Sequence, residues 1–430
     1  MEVCKELRTL SKEFNKQGHK LYIVGGYVRN TLLGLGSDDI DITSSMRAAD
    51  VEKVCKKLKL KYTSINKHLG TILIIYGKFK FEYTTFRRES YSDSGIHTPD
   101  NIEFVDNIDI DYLRRDFSIN SIYWDIEDEK FVDPANGIRD IERKILRTPN
   151  TPKITLADDG LRILRGVRFA STFGFKIDKR TLSALKTYTP LLRKISKERI
   201  LKEITLLSVA DLKHGITNIN FLNLCNKLKL VRYIFNSTLT RMKKFSRSDV
   251  EKFYSMSDNA RLIGLYMLVI KNYLIGYTDS NQLGYNINML LGRDGIKESK
   301  ENILIVEKLY RVYQNLTYDK DSTNASVNYL TFSDIEREVI DKILDDNAKA
   351  LLSHNISFIK NNNLPISIHQ LDVTAQDMID AKIDRVYINK ILSTLFNQVL
   401  NMAVANQKED LIKLAKEIHE TFTSLNKETK

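Results

Sequence analysis

The stretch SDDIDIT, Ser37–Thr43, places three carboxylates beside isoleucines that are typical of a buried strand. Residues two apart on a strand share a face, so Asp39 and Asp41 would lie on one face while the isoleucines point to the core. Adjacent carboxylates repel each other unless a cation lies between them, and oxygen ligands of this kind suit Mg²⁺. The pattern predicts a metal site on a strand, the alternative being an ordinary acidic surface on an edge strand.

A third carboxylate comes from a second predicted strand, KFKFEYTTFR, residues 78–87. Its aromatic side chains alternate with polar ones, so Glu82 would lie on the face opposite Phe81 and Tyr83. We expect Glu82 to complete the acidic site from a strand adjacent to that of Asp41.

The segment LYIVGGYVRNTLLG, Leu21–Gly34, precedes the acidic strand by a few residues. A hydrophobic strand ends at its glycine pair and runs directly into a predicted helix, an arrangement that exposes backbone N–H groups to a phosphate. Arg29, one turn into that helix, can reach the same anion as Gly26. Glycine pairs also occur in ordinary turns. A phosphate site beside a metal site indicates phosphoryl or nucleotidyl transfer.

The chain has 430 residues, is 42% hydrophobic and carries a formal charge of +11. This basic excess favours a polyanionic partner such as RNA, DNA or an anionic membrane surface. Its three cysteines lie far apart without a CxxC pair, which excludes a disulfide framework and a cysteine zinc site. With no signal-like segment and no apolar run long enough to cross a bilayer, a soluble cytoplasmic protein is expected.

The pattern of hydrophobic residues changes along the chain. The first third alternates helix-like and strand-like segments, and Tyr76–Lys78 indicates a hairpin turn between two of the strands. From about Asp158 onward nearly every segment has helical periodicity. The predicted fold class is therefore α+β, with a mixed β-sheet head followed by an all-helical region. The basic segments of that region suit either an RNA backbone or simply a solvated helix face.

The segment DDGLRILRGVRF, residues 158–169, carries a second candidate site. Asp159 and Arg162 are three residues apart on a predicted helix, which would place a carboxylate acceptor beside a planar donor. Such a pair could hydrogen-bond the donor–acceptor edge shared by cytosine and adenine, and it would leave groups unpaired against uracil and guanine. The alternative is an exposed, salt-bridged helix face.

Seven segments in this order resemble the class II CCA-adding tRNA nucleotidyltransferases, which share their head with bacterial poly(A) polymerases. They are GGYVRNTLLG, DDIDIT, FEYTTFR, RRDFSINS, DPANGIRDI, DDGLRILRGVRF and ISKERILKEI. The resemblance is dense from Gly25 to Arg199 and thin beyond it. It implies a polymerase-beta-like nucleotidyltransferase head at 1–145, a helical neck with the base-recognition helix at 146–210, a helical body at 211–330 and a helical, tRNA-binding tail at 331–430.

The resemblance also implies an activity: template-independent addition or repair of the 3′-terminal CCA of tRNA. The implied partners are tRNA with CTP and ATP as substrates, and no membrane. Asp39 and Asp41 would hold Mg²⁺ ions, and Glu82 would assist metal binding and deprotonation of the tRNA 3′ hydroxyl.

The nucleotide would be bound by residues from three of these segments. They are Gly26, Arg29, Arg115, Asp116, Asp159, Arg162, Arg165 and Arg168. Arg165 and Arg168 are implied to meet the triphosphate together with Arg29. Arg115 and Asp116 are implied to distinguish ribose from deoxyribose at the 2′-hydroxyl. A structural alternative for these last two is a buried pair that ties a strand to a loop.

Two departures from the family pattern affect these expectations. Asn30 stands where the family usually has Asp, and the loop at residues 91–104 lacks the usual arginine before its proline. That loop is linked in the family to the switch from C to A addition. The alternatives are therefore a poly(A) polymerase, or an enzyme that adds only CC or only A. A different class is an RNA-binding protein on an inactive head, which the intact carboxylates disfavour.

Overall fold

The computed structural model describes the chain except residues 2, 38, 92–98, 215–220, 236–242, 275–281, 319–320 and 429–430, and the side chains of 425–428. The chain divides into two compact units. The first comprises Met1–Phe245 with Met289–Glu298, and the second comprises Ser246–Asn288 with Ser299–Lys430.

The first unit contains the β-structure of the described residues. Its strands are β1 (Tyr22–Val24), β2 (Ile40–Ser44), β3 (Lys61–Asn66), β4 (Thr71–Tyr76), β5 (Phe79–Thr85), β6 (Arg87–Ser90), β7 (Asn101–Phe104), β8 (Tyr123–Asp125), β9 (Lys130–Val132), β10 (Ile145–Leu146) and β11 (Lys176–Ile177). Seven of them form one sheet in the order β3-β4-β5-β2-β1-β8-β9. Only β2 and β5 pair in parallel within it, so the sheet is mixed, as predicted.

Helices accompany the β-structure in the first unit and make up the second unit. Those of the first unit are α1 (Lys5–Asn15), α2 (Gly26–Leu32), α3 (Ala48–Lys57), α4 (Ile108–Asp111), α5 (Gly137–Glu142), α6 (Pro152–Asp158), α7 (Arg162–Phe173), α8 (Lys179–Tyr188), α9 (Lys197–Ser208), α10 (Phe221–Leu228) and α11 (Leu230–Ile234). The later ones are α12 (Arg247–Tyr254), α13 (Asp258–Tyr273), α14 (Leu283–Leu291), α15 (Lys300–Tyr318), α16 (Ser322–Leu330), α17 (Asp334–Ile343), α18 (Asp346–Asn361), α19 (Ala375–Asp380), α20 (Arg385–Leu400) and α21 (Lys408–Glu428). Within the described ranges, none of these helices combines the length and apolar composition needed to span a bilayer.

The core of the sheet follows the predicted alternation. Ile42, Phe81 and Tyr83 are almost fully buried, whereas Asp41 and Glu82 on the same two strands lie on the open face. The β4–β5 hairpin is also confirmed, and β5 follows β4 antiparallel after a two-residue turn. Strand β3 was not predicted because it is a mostly exposed edge strand with few apolar residues. One face of the sheet is thus left free for polar chemistry.

The predicted helical region is confirmed with one small difference. Strand β11 interrupts the helices and pairs in parallel with β10, so the region after residue 145 is not purely helical. The boundaries of head, neck, body and tail stay predictions.

The segment DPANGIRDI forms a turn that leads into a helix, as its residues indicate. Asn136 has a left-handed backbone, α5 begins at Gly137, and the Asp133 carboxylate accepts the Gly137 N–H at 2.7 Å. The fully buried Asp140 of this helix accepts the Ser118 hydroxyl at 2.6 Å. This hydrogen bond anchors the 3-10 turn Ser118–Asn120, whose last residue belongs to the site described below.

We predict that Gly137→Ala destabilises the protein. An added Cβ would lie 2.2 Å from the backbone oxygen of Ser118, and backbone cannot yield as a flexible side chain does. Although alanine is the better helix former, this overlap should cost about 1–3 kcal/mol and lower the melting temperature by several degrees. Gly36→Ala is the matched control because a Cβ there meets open space. Equal melting temperatures for the two variants would contradict the packing argument.

Candidate active site

A cavity of about 650 Å³ in the first unit collects ten of the eleven predicted site residues. They are Gly26, Arg29, Asp39, Asp41, Arg115, Asp116, Asp159, Arg162, Arg165 and Arg168. The eleventh, Glu82, does not line the cavity but lies in β5 beside Asp41. Residues separated by more than a hundred positions in sequence are therefore brought to one place by the fold.

The acidic part of the cavity lining comes from Asp39 and from Asp41 of β2, and β5 pairs with β2 beside them. Their parallel register places Asp41 directly beside Glu82, and Asp39 immediately precedes β2. The surrounding protein and then the Glu82 charge raise the pKa of Asp41 to about 6, an effect that Arg115 opposes. The ionised form of this carboxylate is thus disfavoured unless a cation approaches it.

The donor set on this side fits a divalent cation that is shared with a phosphate. Among the described residues, no three acidic, histidine or cysteine side chains converge into a ready-made metal site. Mg²⁺, however, commonly uses one or two protein carboxylates and completes its shell with water and substrate phosphates. Asp39 and Asp41 match that arrangement, and burial and the Glu82 charge already raise the pKa of Asp41.

The glycine pair joins β1 to α2, and Gly25 lies against Asp41 of the acidic strand. Gly25 has a φ of +77°, which favours glycine, and an added Cβ would lie only 3.2 Å from an Asp41 carboxylate oxygen. Helix α2 begins at Gly26, so the predicted junction of strand, glycines and helix is confirmed. Its role in phosphate binding stays a prediction.

Arg29 is a buried cation that lines the same cavity. Its guanidinium donates to the amide oxygens of Asn30, at 3.0 and 2.8 Å, and Asn120, at 2.5 Å. It also lies over the rings of Phe169 and Phe173, 5.2 and 4.6 Å from their centroids. Burial, with the nearby positive charges of α7, lowers the pKa of Arg29 to about 10. An anion entering the cavity would relieve this penalty.

Two arginines of α7 continue the positive surface. Arg165 donates to Asp116 at 2.9 and 2.7 Å, and Arg168 donates to Glu203 of α9 at 2.7 Å. Both guanidiniums also lie over the Phe169 ring, 5.2 and 4.5 Å from its centroid. Together with the guanidinium of α2, three cations therefore surround one phenyl ring.

Arg115 and Asp116 do not pair with each other, although Arg115 does tie its loop to strand β8 through Tyr123. Arg115 turns to the Tyr123 hydroxyl, at 2.9 Å, and to the fully buried Asp111 carboxylate, at 3.0 Å, whereas Asp116 faces α7. Burial alone would raise the pKa of Asp111, but the guanidiniums of Arg114 and Arg115 hold that pKa well below its usual range. The two sequence neighbours are thus anchored separately.

The prediction that Asp159 and Arg162 share a helix is wrong. Helix α6 ends at Asp158, Asp159 is extended with φ −147°, and α7 begins at Arg162. The Asp159 carboxylate accepts the Leu161 N–H at 3.0 Å, while its backbone oxygen accepts the Arg162 N–H at 3.1 Å. These two local hydrogen bonds form a turn that starts a new helix, so α6 does not continue into α7.

Nor do these two residues form an exposed helix face. Asp159 and Arg162 are 4% and 7% exposed. The Asp159 carboxylate accepts a hydrogen bond from Arg199 at 2.8 Å. Arg162 donates to the backbone oxygens of Thr155, at 2.8 Å, and Arg114, at 2.6 Å. Both still line the cavity, and their role in base choice stays a prediction.

Sequence reasoning gave no role to three further residues that hold the site together: Asn120, Arg199 and Glu203. Each belongs to a segment of the family resemblance, RRDFSINS or ISKERILKEI, so the motifs did contain the signal. Their partners lie 35 to 91 positions away and could not be identified by spacing. For the loop at 91–104, residues 92–98 lie outside the described residues.

Two family models match the chain. One, described as the Poly A polymerase head domain, matches residues 21–147. The other, described as the probable RNA and SrmB-binding site of polymerase A, matches residues 174–211.

Similar proteins carry the name CCA-adding enzyme. The one from Enterococcus faecalis is 38% identical over 46% of this chain and 47% of its own, so the chain spans about half the length of this relative. The one from Streptococcus mutans is 32% identical over 66% of this chain and 70% of its own. In fold, the chain resembles the Bacillus stearothermophilus CCA-adding enzyme in complex with CTP, with a TM-score of 0.60, 21% identity and 98% coverage of both chains.

We predict a pH-dependent gain in stability for Asp41→Asn. Because the folded-state pKa of Asp41 lies above its ordinary value of 3.8, its stabilising contribution is present at low pH and lost as the pH rises through about 6. The variant should melt a few degrees higher than the wild type at about pH 8, and the difference should shrink at about pH 4. Melting curves in the presence of a chelator measure this. Asp109→Asn, at an exposed position, serves as control. A difference in melting temperature between Asp41→Asn and the wild type that is the same at both pH values would contradict the raised pKa of Asp41.

Proposed function

This chain belongs to the family of CCA-adding enzymes, and we propose that it adds or repairs the 3′-terminal CCA of tRNA, using CTP and ATP. The observation that carries the proposal is a single cavity whose lining combines Asp39 and Asp41 with the arginines Arg29, Arg165 and Arg168. A nucleoside triphosphate with a divalent cation fits this lining, because the cation can meet the carboxylates while the phosphates meet the guanidiniums.

Nucleotidyltransferases of this family generally use divalent metal ions. We propose Mg²⁺, held by Asp39 and Asp41, because hard carboxylate oxygens are the donors present. When bound, it would neutralise phosphate charge and lower the pKa of the attacking hydroxyl. Glu82, on the same face as Asp41, is proposed to assist metal binding and to accept the proton of the tRNA 3′ hydroxyl at a carboxylate oxygen.

The triphosphate is assigned to Gly26 and the arginine cluster. Arg165 and Arg168 are already held by carboxylates, so little conformational freedom is lost when a phosphate meets them. Arg29 faces neutral amides and gains most from an approaching anion.

Base choice is assigned to Asp159 and Arg162, and ribose recognition to Arg115 and Asp116. Arg162 is oriented by two backbone oxygens and Asp159 by a guanidinium, so their polar groups are fixed before a base arrives. A fixed acceptor and donor that match cytosine and adenine would be left unpaired by uracil or guanine, which is a strong form of rejection.

The remaining assignments are also proposals. The helical tail, residues 331–430, is assigned to tRNA binding. A cytoplasmic location is proposed because Cys4, Cys55 and Cys225 are all free. The competing functions are polyadenylation, addition of CC or A alone, and RNA binding without catalysis. The last would require no acidic cluster, whereas Asp41 and Glu82 lie side by side.

The test supplies purified protein with tRNA lacking its CCA end, adds each nucleotide alone and then CTP with ATP, and sequences the 3′ ends. We expect cytidine addition with CTP alone and a complete CCA with both nucleotides. Asp41→Ala should reduce addition by about a thousandfold or more, because a site without this carboxylate loses electrostatic stabilisation of the reacting phosphate. Growth by adenosine alone on generic RNA would instead indicate polyadenylation, and no addition by the folded wild type would indicate an inactive head.

A second prediction concerns Arg162→Ala. Removal of the guanidinium takes away a base-reading donor, so incorporation of uridine or guanosine relative to cytidine should rise by about ten- to a hundredfold. Competition between nucleotides in the same assay measures this ratio. A melting curve checks that the variant, which also loses two bonds to backbone oxygens, remains folded. Equal loss of C and A incorporation with unchanged rejection of U and G would refute the role.

A further inference from the structure

The three arginines that are assigned to the triphosphate, Arg29, Arg165 and Arg168, differ in what holds them. Arg165 and Arg168 are each bound to a carboxylate, which compensates much of their charge. Among the described residues, the side-chain hydrogen bonds of Arg29 go to amide oxygens, those of Asn30 and Asn120. The positive charge of Arg29 is therefore the one that its own partners leave uncompensated.

The hydrogen bonds around Arg29 fix the orientation of one amide. Asn120 donates its amide N–H to Asp116 at 3.0 Å, so its oxygen must face Arg29, and a carboxylate at this position would repel Asp116. The Asn30 amide N–H, in contrast, lies 3.4 Å from the Gly36 oxygen, a long hydrogen bond. Asn30 is thus the position at which a carboxylate could replace the neutral amide with little loss of other contacts.

The rings beneath Arg29 add attraction without adding negative charge. Phe169 and Phe173 lie within 5.2 and 4.6 Å of the guanidinium carbon, and their faces orient it through the ring quadrupole. Amides and rings together hold Arg29, which is 7% exposed, while leaving a full positive charge at the cavity wall.

We propose that Asn30 is an affinity-determining residue: its neutral amide orients Arg29 and leaves the charge of that guanidinium available to a polyphosphate. The proposal rests on the proposed function, since it takes the cavity to be a triphosphate site. A carboxylate at position 30 would lie about 3 Å from the same nitrogens and would compete with phosphate for them. Asn30 therefore acts through Arg29, as a positioning residue.

The experiment compares the full-length wild type with Asn30→Asp in calorimetric titrations with inorganic tripolyphosphate and no divalent cation. The isosteric variant should bind at least about tenfold more weakly, and the difference should shrink as salt is raised. Its melting temperature should stay the same or rise, because a buried guanidinium gains a carboxylate. Weaker binding combined with undiminished stability is a result that a purely structural role would not produce.

Two control variants keep the test decisive. Asn30→Ala removes the acceptor without adding charge, so its affinity should fall clearly less than that of Asn30→Asp. Asn259→Asp adds the same charge at an exposed position of α13, outside the cavity and the proposed tRNA-binding tail, and should bind like the wild type. Equal affinities for Asn30→Asp and the wild type, or equal losses for the Asp and Ala variants, would overturn the proposal. Tripolyphosphate binding requires neither tRNA nor nucleotide addition. A failure of CCA addition would therefore refute the proposed function without deciding the role of Asn30, and the titrations decide that role by themselves.

Discussion

The parallel pairing of β2 with β5 is the contact on which the site depends. It places Asp41 beside Glu82 on the open face of the sheet and, through the same register, packs the apolar side chains of both strands into the core. A shift of one residue would reverse both faces at once. The hydrophobic free energy of the core therefore maintains two carboxylates side by side, and the pKa of Asp41 is raised first by burial and then by the Glu82 charge.

The cavity also holds positive charges close together. Three guanidiniums gather around Phe169, and they differ in how far they are neutralised. Two of them are paired with Asp116 and Glu203, which reduces the repulsion between the guanidiniums when no anion is bound. Arg29 instead donates to amide oxygens. A cavity lined both by carboxylates and by partly compensated guanidiniums suits a ligand that is itself a metal-bound polyphosphate.

The break between α6 and α7 shows how a local backbone feature changes the meaning of a motif. Gly160 lies against Leu191, with an added Cβ only 3.1 Å from it, and Asp159 is extended rather than helical. The carboxylate and Arg162 consequently reach the cavity from either side of a turn, not from adjacent turns of one helix. Each is anchored by its own partners, so the pair is rigid for a different reason than helical spacing.

The amino-acid sequence by itself predicted a head that contains a β-sheet, the later helices and ten residues that line one cavity, because alternation, glycine punctuation and ordered motifs are local properties. Spacing failed where a competing local bond decided, as with Asp159, and where charge partners come from distant segments, as with Asp116 and α7. Only the tertiary structure decided which carboxylate neutralises which arginine, because ion pairing depends on distances between elements that the chain order does not encode. It is also what left Arg29 among neutral amides.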